Sequence, residues 1–257
     1  MNPAIAGWSM QRVWVIGASS GIGEATAEVL LQQGARVAVS ARNRAALEAL
    51  AARFDAAQSL VLPLDLTRPG AAAPLLNDIV SAWGGIDLVL FFAGTHKPVR
   101  AWELEARTAR ELFDVNVLGV VEGLSSVIPC LLKQGRGAVG IVSSVAGYRG
   151  LPTALVYGAT KAALINLAET LYLDLAPRGI GVYLINPGFV RTPLTAKNEF
   201  RMPALIDAGQ AAREIVRGLE RGRFEIHFPR RFTLWLKLLR VLPYRWYFYL
   251  VHKLTGL

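Results

Sequence analysis

Short runs rich in Val, Ile and Leu recur through the first two-thirds of the chain, each followed by an amphipathic stretch. No other feature limits the fold as strongly. Parallel neighbours in a sheet need a crossover between them, so this alternation predicts a doubly wound parallel α/β sheet with helices on both faces. Strands are expected at residues 13–16, 36–40, 60–63, 88–92, 139–143, 181–186 and 224–228, about seven in all. Gly34, Gly84, Gly85, Gly135, Gly137 and Gly179 punctuate the helices between them, where left-handed backbone angles are needed. Apolar residues make up 53% of the chain and charged ones 18%, a balance that suits strands buried on both faces. A length of 257 residues fits one domain. The expected organisation is a catalytic domain over 1–228 and a basic, aromatic, amphipathic extension over 229–257.

The first strand runs directly into Gly17-Ala18-Ser19-Ser20-Gly21-Ile22-Gly23, and a helical run over 24–33 follows. Missing side chains let a backbone approach a pyrophosphate, and a helix start offers it unpaired N–H groups and the positive end of the dipole. Strand, glycine turn and helix in this order predict a dinucleotide site on a Rossmann-type sheet, although the spacing departs from GxGxxG. The end of the second strand reads Val39-Ser40-Ala41-Arg42-Asn43-Arg44. It lacks the carboxylate that binds a ribose 2′-hydroxyl, and Arg42 can pair with a 2′-phosphate. NADPH is accordingly expected over NADH.

Tyr157 and Lys161 lie four apart at the start of a helix expected over 157–175, so they share a face. A phenol near pKa 10 is a poor acid at neutral pH, and a nearby ammonium favours its ionised form. Ser144, the second serine of Ser143-Ser144 after a buried strand, could polarise a carbonyl.

Together these residues resemble the short-chain dehydrogenase/reductase family over about residues 11 to 228. The family's glycines match Gly17, Gly21 and Gly23, with Ser19, Ser20 and Ile22 between them. Its catalytic Asn, Ser, Tyr and Lys match Asn116, Ser144, Tyr157 and Lys161. Asp65 and Leu66 look like its adenine-contacting segment, and Ala93 and Gly94 like its turn after the fourth strand. The stretch 186–192, with Pro187, Gly188, Val190 and Thr192, looks like the one that holds the nicotinamide amide. The resemblance implies hydride transfer between nicotinamide and a carbonyl or secondary alcohol, with Tyr157 as proton donor and Ser144 orienting the carbonyl. Lys161 would lower the Tyr157 pKa and bind the ribose, and Asn116 would hold a water on a proton path. An epimerase or dehydratase on the same fold, or a non-catalytic dinucleotide sensor or membrane scaffold, are the alternatives. The sequence departs from the family at Ile16, where Thr is usual, and at Phe91-Phe92, which replace two asparagines; packing is expected to brace the turn instead.

The formal charge of +9 is concentrated at the end of the chain. Residues 226–257 carry Arg230, Arg231, Lys237, Arg240, Arg245 and Lys253 with no acid, and the remaining chain has 22 basic against 19 acidic residues. Eight of the 23 aromatic residues fall in the same stretch. On a helical projection Thr233, Lys237 and Arg240 form a polar strip, with Phe232, Trp235, Leu236 and Leu239 in a broad apolar face. Pro243 and the charges interrupt the run before it could span a bilayer, so a membrane surface is expected ahead of subunit packing, and nucleic acid is not expected. The family resemblance implies a homo-oligomer, dimer or tetramer, through helices around 108–132 and 157–175. One cysteine, Cys130, and a start without a secretion-signal pattern point to the cytoplasm, with the cytoplasmic face of a membrane as the second expectation. Three histidines and one cysteine suggest no metal site. His96 is expected at the surface. Residues 188–203 and 146–151 should close a largely apolar pocket in which Arg149, Arg191, Lys197 and Glu199 are the charged exceptions.

Overall fold

A computed structural model describes residues 2–197 and 202–256. From the start of the chain, β1 (Arg12–Ile16), α1 (Gly21–Gln32), β2 (Arg36–Ser40), α2 (Arg44–Ala51) and β3 (Ser59–Val61) build the first half of the sheet. After α3 (Ala72–Trp83) and β4 (Leu88–Phe91), α4 (Ala106–Phe113) passes through a π-helical turn (Asp114–Leu118) into α5 (Gly119–Gln134). Next come β5 (Gly137–Val142), α6 (Leu155–Leu175) and β6 (Ile180–Pro187). The pair β7 (Val190–Arg191) and β8 (Ile206–Asp207) precedes α7 (Ala208–Glu220) and β9 (Glu225–Phe228), and α8 (Arg230–Val241) and α9 (Tyr244–Thr255) follow.

Seven strands form one parallel sheet in the order β3-β2-β1-β4-β5-β6-β9. Its two faces are dry for a reason visible in β1, whose alternate residues serve opposite layers. Trp14 and Ile16 join a cluster with Leu76 of α3, Leu124 of α5 and Leu164 of α6. Val13 and Val15 join another with Leu30 of α1, Leu47 of α2 and Ile215 of α7. The strand order reverses between β1 and β4, which opens a crevice at their C-terminal ends. The two-stranded β7–β8 ribbon was not expected from sequence; it is only two residues long on each side.

The stretch Ala106–Gln134 is long and apolar enough to cross a bilayer by composition alone. Here Val120, Leu124, Val127 and Leu131 are buried against the sheet, as expected for a core helix.

The helical projection of α8 left open which residues face the protein. Thr233 is fully buried and its hydroxyl lies 2.6 Å from His227 Nδ1, while Lys237 Nζ reaches Glu225 at 2.5 Å. Thr233 and Lys237 therefore point into the protein beside Phe232 and Leu236, which pack against the core, while Arg240 is exposed. Leu234, Trp235, Leu238 and Val241 point away from it.

Candidate active site

The crevice holds a cavity of about 420 Å³ whose walls come from the ends of β1, β2, β4, β5 and β6. At its floor, the amides of Gly17 and Ala18 donate to Ser40 O at 2.7 and 3.1 Å, and those of Phe92 and Ala93 donate to Ile16 O at 2.7 and 3.1 Å. These backbone bonds brace the turn where the family's threonine and asparagines are missing. Packing adds to them: Phe91 is buried against Gly123, and Phe92 lies against Gly23. The glycines themselves have no substitute. A Cβ on Gly23 would stand 2.2 Å from Gly17 O, and one on Gly17, whose φ is +98°, would stand 2.5 Å from Ala93 N.

Ser19, Ser20, Gly21 and Ile22 line this end of the cavity at the start of α1, where amides of the first turn have no helical partner. Arg42 lines its rim just past β2. Asp65 and Leu66 border the same wall, and the Thr67 side chain and amide hold the Asp65 carboxyl below the usual range with help from Arg42. Ala93 and Gly94 form the central wall, and Pro187, Gly188, Val190 and Thr192 the far one.

The opposite end carries the chemistry. Ser144 caps a short turn over Val145–Gly147, its hydroxyl accepting from Ala146 N at 3.1 Å. That turn sits directly on α6, because a Cβ on Gly147 would meet the Lys161 carbonyl carbon at 2.6 Å; Ser144 thereby comes beside Tyr157. Lys161 is buried and donates to Val142 O at 3.0 Å, with Nζ 5.6 Å from the Tyr157 ring centre. Burial pushes the phenol of Tyr157 up to about 12, and a hydrogen bond from Ser144 pulls the other way. Burial alone brings Lys161 down to about 8. Desolvation of the phenol itself is therefore the largest influence on Tyr157 in this geometry.

Asn116 does not line the cavity but stands behind it, fully buried in the π-turn. Its Oδ1 accepts from Thr95 N at 2.7 Å, and its Nδ2 donates to Thr95 O at 3.0 Å and Thr160 Oγ1 at 3.1 Å. Asn116 Oδ1 and Lys161 Nζ would each lie 3.5 Å from a Cβ on Gly94. The side chain therefore ties the loop after β4 to α6 and fixes the wall against which Lys161 rests. Thr95 and Thr160 carry no sequence signal for this, since they lie 21 and 44 residues from their partner.

Two other placements correct the sequence reading. His96 is half-buried rather than on the surface, its ring edge-on to Tyr157 with centroids 4.5 Å apart. Arg149 is not a pocket charge: it donates to Leu239 O at 2.8 Å and Leu242 O at 2.7 Å, and stacks on Tyr244 and Tyr247. Glu199 lies outside the described residues.

The short chain dehydrogenase family model matches residues 11–202. An oxidoreductase of Myxococcus xanthus is 36% identical over 241 residues, covering 93% of this chain and 95% of the relative. One of Staphylococcus epidermidis is 34% identical over 205 residues, 80% of this chain and 89% of the relative. Among solved structures, a short-chain dehydrogenase from Streptomyces avermitilis superimposes with a TM-score of 0.80 at 26% identity, over 89% of this chain and 92% of that one. A short-chain dehydrogenase/reductase from Burkholderia phymatum, in complex with NAD, has the same fold, with a TM-score of 0.83 at 24% identity over 91% and 94% of the two chains. A family match across three-quarters of the chain and a relative aligned over nearly its whole length agree with the sheet order and the Tyr157–Lys161 end of the crevice: the chain belongs to the short-chain dehydrogenase/reductase family of oxidoreductases.

Proposed function

We propose that the protein is an NADPH-dependent carbonyl reductase or alcohol dehydrogenase acting on a lipophilic ketone or secondary alcohol. The observation that carries this reading is the convergence of Ser144, Tyr157 and Lys161 at one end of a cavity whose other end is the glycine turn and Arg42. The cradle fits a dinucleotide because the space beside Gly17 and Gly23 admits no Cβ and α1 begins there. The bound dinucleotide supplies hydride to the carbonyl carbon.

The protein's own residues do the rest. Tyr157, kept protonated by burial, donates its proton to the carbonyl oxygen, and Ser144 holds that oxygen by its hydroxyl. Lys161 keeps a positive charge beside the phenol at neutral pH, since even its lowered pKa of about 8 leaves it mostly protonated. Arg42 favours NADPH by pairing with the 2′-phosphate, and no carboxylate stands at the end of β2 to prefer a free hydroxyl. Val142, Pro187, Val190, Pro193 and Leu194 give the cavity apolar walls, which support a lipophilic substrate. A second copy of the chain is proposed against α4–α6, where Leu118, Val121, Leu155 and Leu173 are exposed.

A panel of steroid, fatty-acyl and cyclic ketones followed by NADPH oxidation identifies the substrate class. With the best of these, Tyr157→Phe should lower kcat by about two to four orders of magnitude while NADPH still binds by fluorescence titration. Arg42→Ala should weaken NADPH about 10- to 100-fold and leave NADH unchanged, the scale of one charge-assisted bond. Undiminished turnover in the first variant, or equal loss for both dinucleotides in the second, would overturn the assignment.

A further inference from the structure

The helices α8 and α9 leave large apolar side chains exposed although Phe232 and Leu236 of α8 already pack inward against the core. On α8 the inward side carries Thr233 and Lys237, pinned to His227 and Glu225, and the outward side carries Leu234, Trp235, Leu238 and Val241 at 55%, 68%, 52% and 75% exposure. Arg230 and Arg231 are exposed at the start of the helix. On α9, Tyr247 is buried with its hydroxyl donating to Gly150 O, while Tyr244, Trp246, Phe248 and Tyr249 are exposed with Arg245 and Lys253 among them.

This orientation is held by specific bonds. Glu225 also accepts from Tyr148 at 2.6 Å and Asn186 at 2.8 Å, so Lys237 plugs into a network that reaches β6. Arg149 takes the backbone carbonyls at the end of α8 and stacks on two tyrosines of α9. The outward apolar face is therefore built, not left over from poor packing.

We propose that α8 and α9 form a docking surface for an anionic lipid bilayer, lying in its interface with the apolar side of α8 among the acyl chains and the α9 aromatics at headgroup level. Charge selects this occupant. With Lys237 paired to Glu225, Arg230, Arg231, Arg240, Arg245 and Lys253 remain exposed and residues 226–257 hold no acid, so a two-fold contact with a second copy would set the same cationic surface against itself. An anionic leaflet complements it, and exposed Trp and Tyr beside basic residues suit the headgroup layer. Exposed Leu118, Val121, Leu155 and Leu173, between α4 and α6, offer a second copy apolar side chains elsewhere. Docking here also brings Arg149, which lies between Ser144 and Tyr157 in sequence, next to the bilayer. The docking surface stands whether or not the substrate reading holds.

The test is cosedimentation of the full chain with vesicles of phosphatidylcholine alone and of phosphatidylcholine mixed with phosphatidylserine. The protein should pellet with the mixed vesicles about tenfold more strongly than with the neutral ones, and high salt should reverse much of this. The double variant Trp235→Glu/Leu238→Glu, on the outward face, should lose about tenfold or more of that binding with its circular dichroism and thermal midpoint unchanged. Vesicles carrying brominated acyl chains should quench the parent's tryptophan fluorescence, and Trp235→Phe/Trp246→Phe should remove the quenching. Equal pelleting of the double variant and the parent would overturn the proposal. So would absence of vesicle binding by the parent, in particular if the glutamate pair instead lowers its mass by light scattering, which would assign the face to a second copy.

Discussion

Replacing Asn116 tests how the active site is held together. Its fully buried side chain makes three bonds, to Thr95 N, Thr95 O and Thr160 Oγ1 at 2.7, 3.0 and 3.1 Å. At about 1 kcal/mol net for each neutral bond, Asn116→Ala should cost about 3 kcal/mol. For a chain of this size that lowers Tm by about 6–12 °C. Asn116→Asp keeps the acceptor for Thr95 N but faces Thr95 O with a second acceptor, and it buries a charge; at neutral pH it should be the worse variant. Burial raises the folded-state pKa of the new carboxyl above its unfolded value of about 3.9, so the variant binds more protons folded than unfolded. Its stability should therefore rise relative to the parent as pH falls from about 7 to 5, where the protonated acid can donate to Thr95 O. Urea denaturation at several pH values measures all three chains. A loss below about 1 kcal/mol for Asn116→Ala, or a pH-independent gap between Asn116→Asp and the parent, would refute the bracing role.

Gly23→Ala should abolish dinucleotide binding in fluorescence titration, because its Cβ would stand 2.2 Å from the Gly17 carbonyl and the turn must open; retained affinity would contradict the cradle. Asp87 supplies a pH signature of the opposite sign. Burial raises its carboxyl, but the Arg12 bonds, at 2.8 Å from Nε and 2.6 Å from Nη2, hold it below the usual value overall. Its contribution is present above the unfolded pKa of about 3.9 and is lost as pH falls through the lower folded value. Asp87→Asn should cost about 2 kcal/mol at neutral pH and flatten stability below about pH 4; an unchanged acid-unfolding profile would remove Asp87 from that account.

Much of this protein follows from local pattern. Apolar periodicity and punctuating glycines determine which segments are strands and helices, since both depend on residues within a turn or two of each other. The glycine turn and the four-residue spacing of Tyr157 and Lys161 were legible for the same reason. Other features depend on pairs distant in the chain. Nothing near Asn116 announces Thr95 or Thr160, and nothing near Arg149 announces the carbonyls of α8, 90 and more residues away. Burial, which raises the Tyr157 phenol and lowers Lys161, was not legible either, because spacing brings two groups together but does not tell how much water reaches them.

The tail shows the same division. A helical projection identifies which residues of α8 share a face, and composition identifies its charge. Only the tertiary structure decides which face turns inward. Thr233 and Lys237 turn inward with Phe232 and Leu236 because His227 and Glu225 bond them and Arg149 takes the backbone carbonyls at the end of the helix, leaving Trp235 and Leu238 to the solvent side.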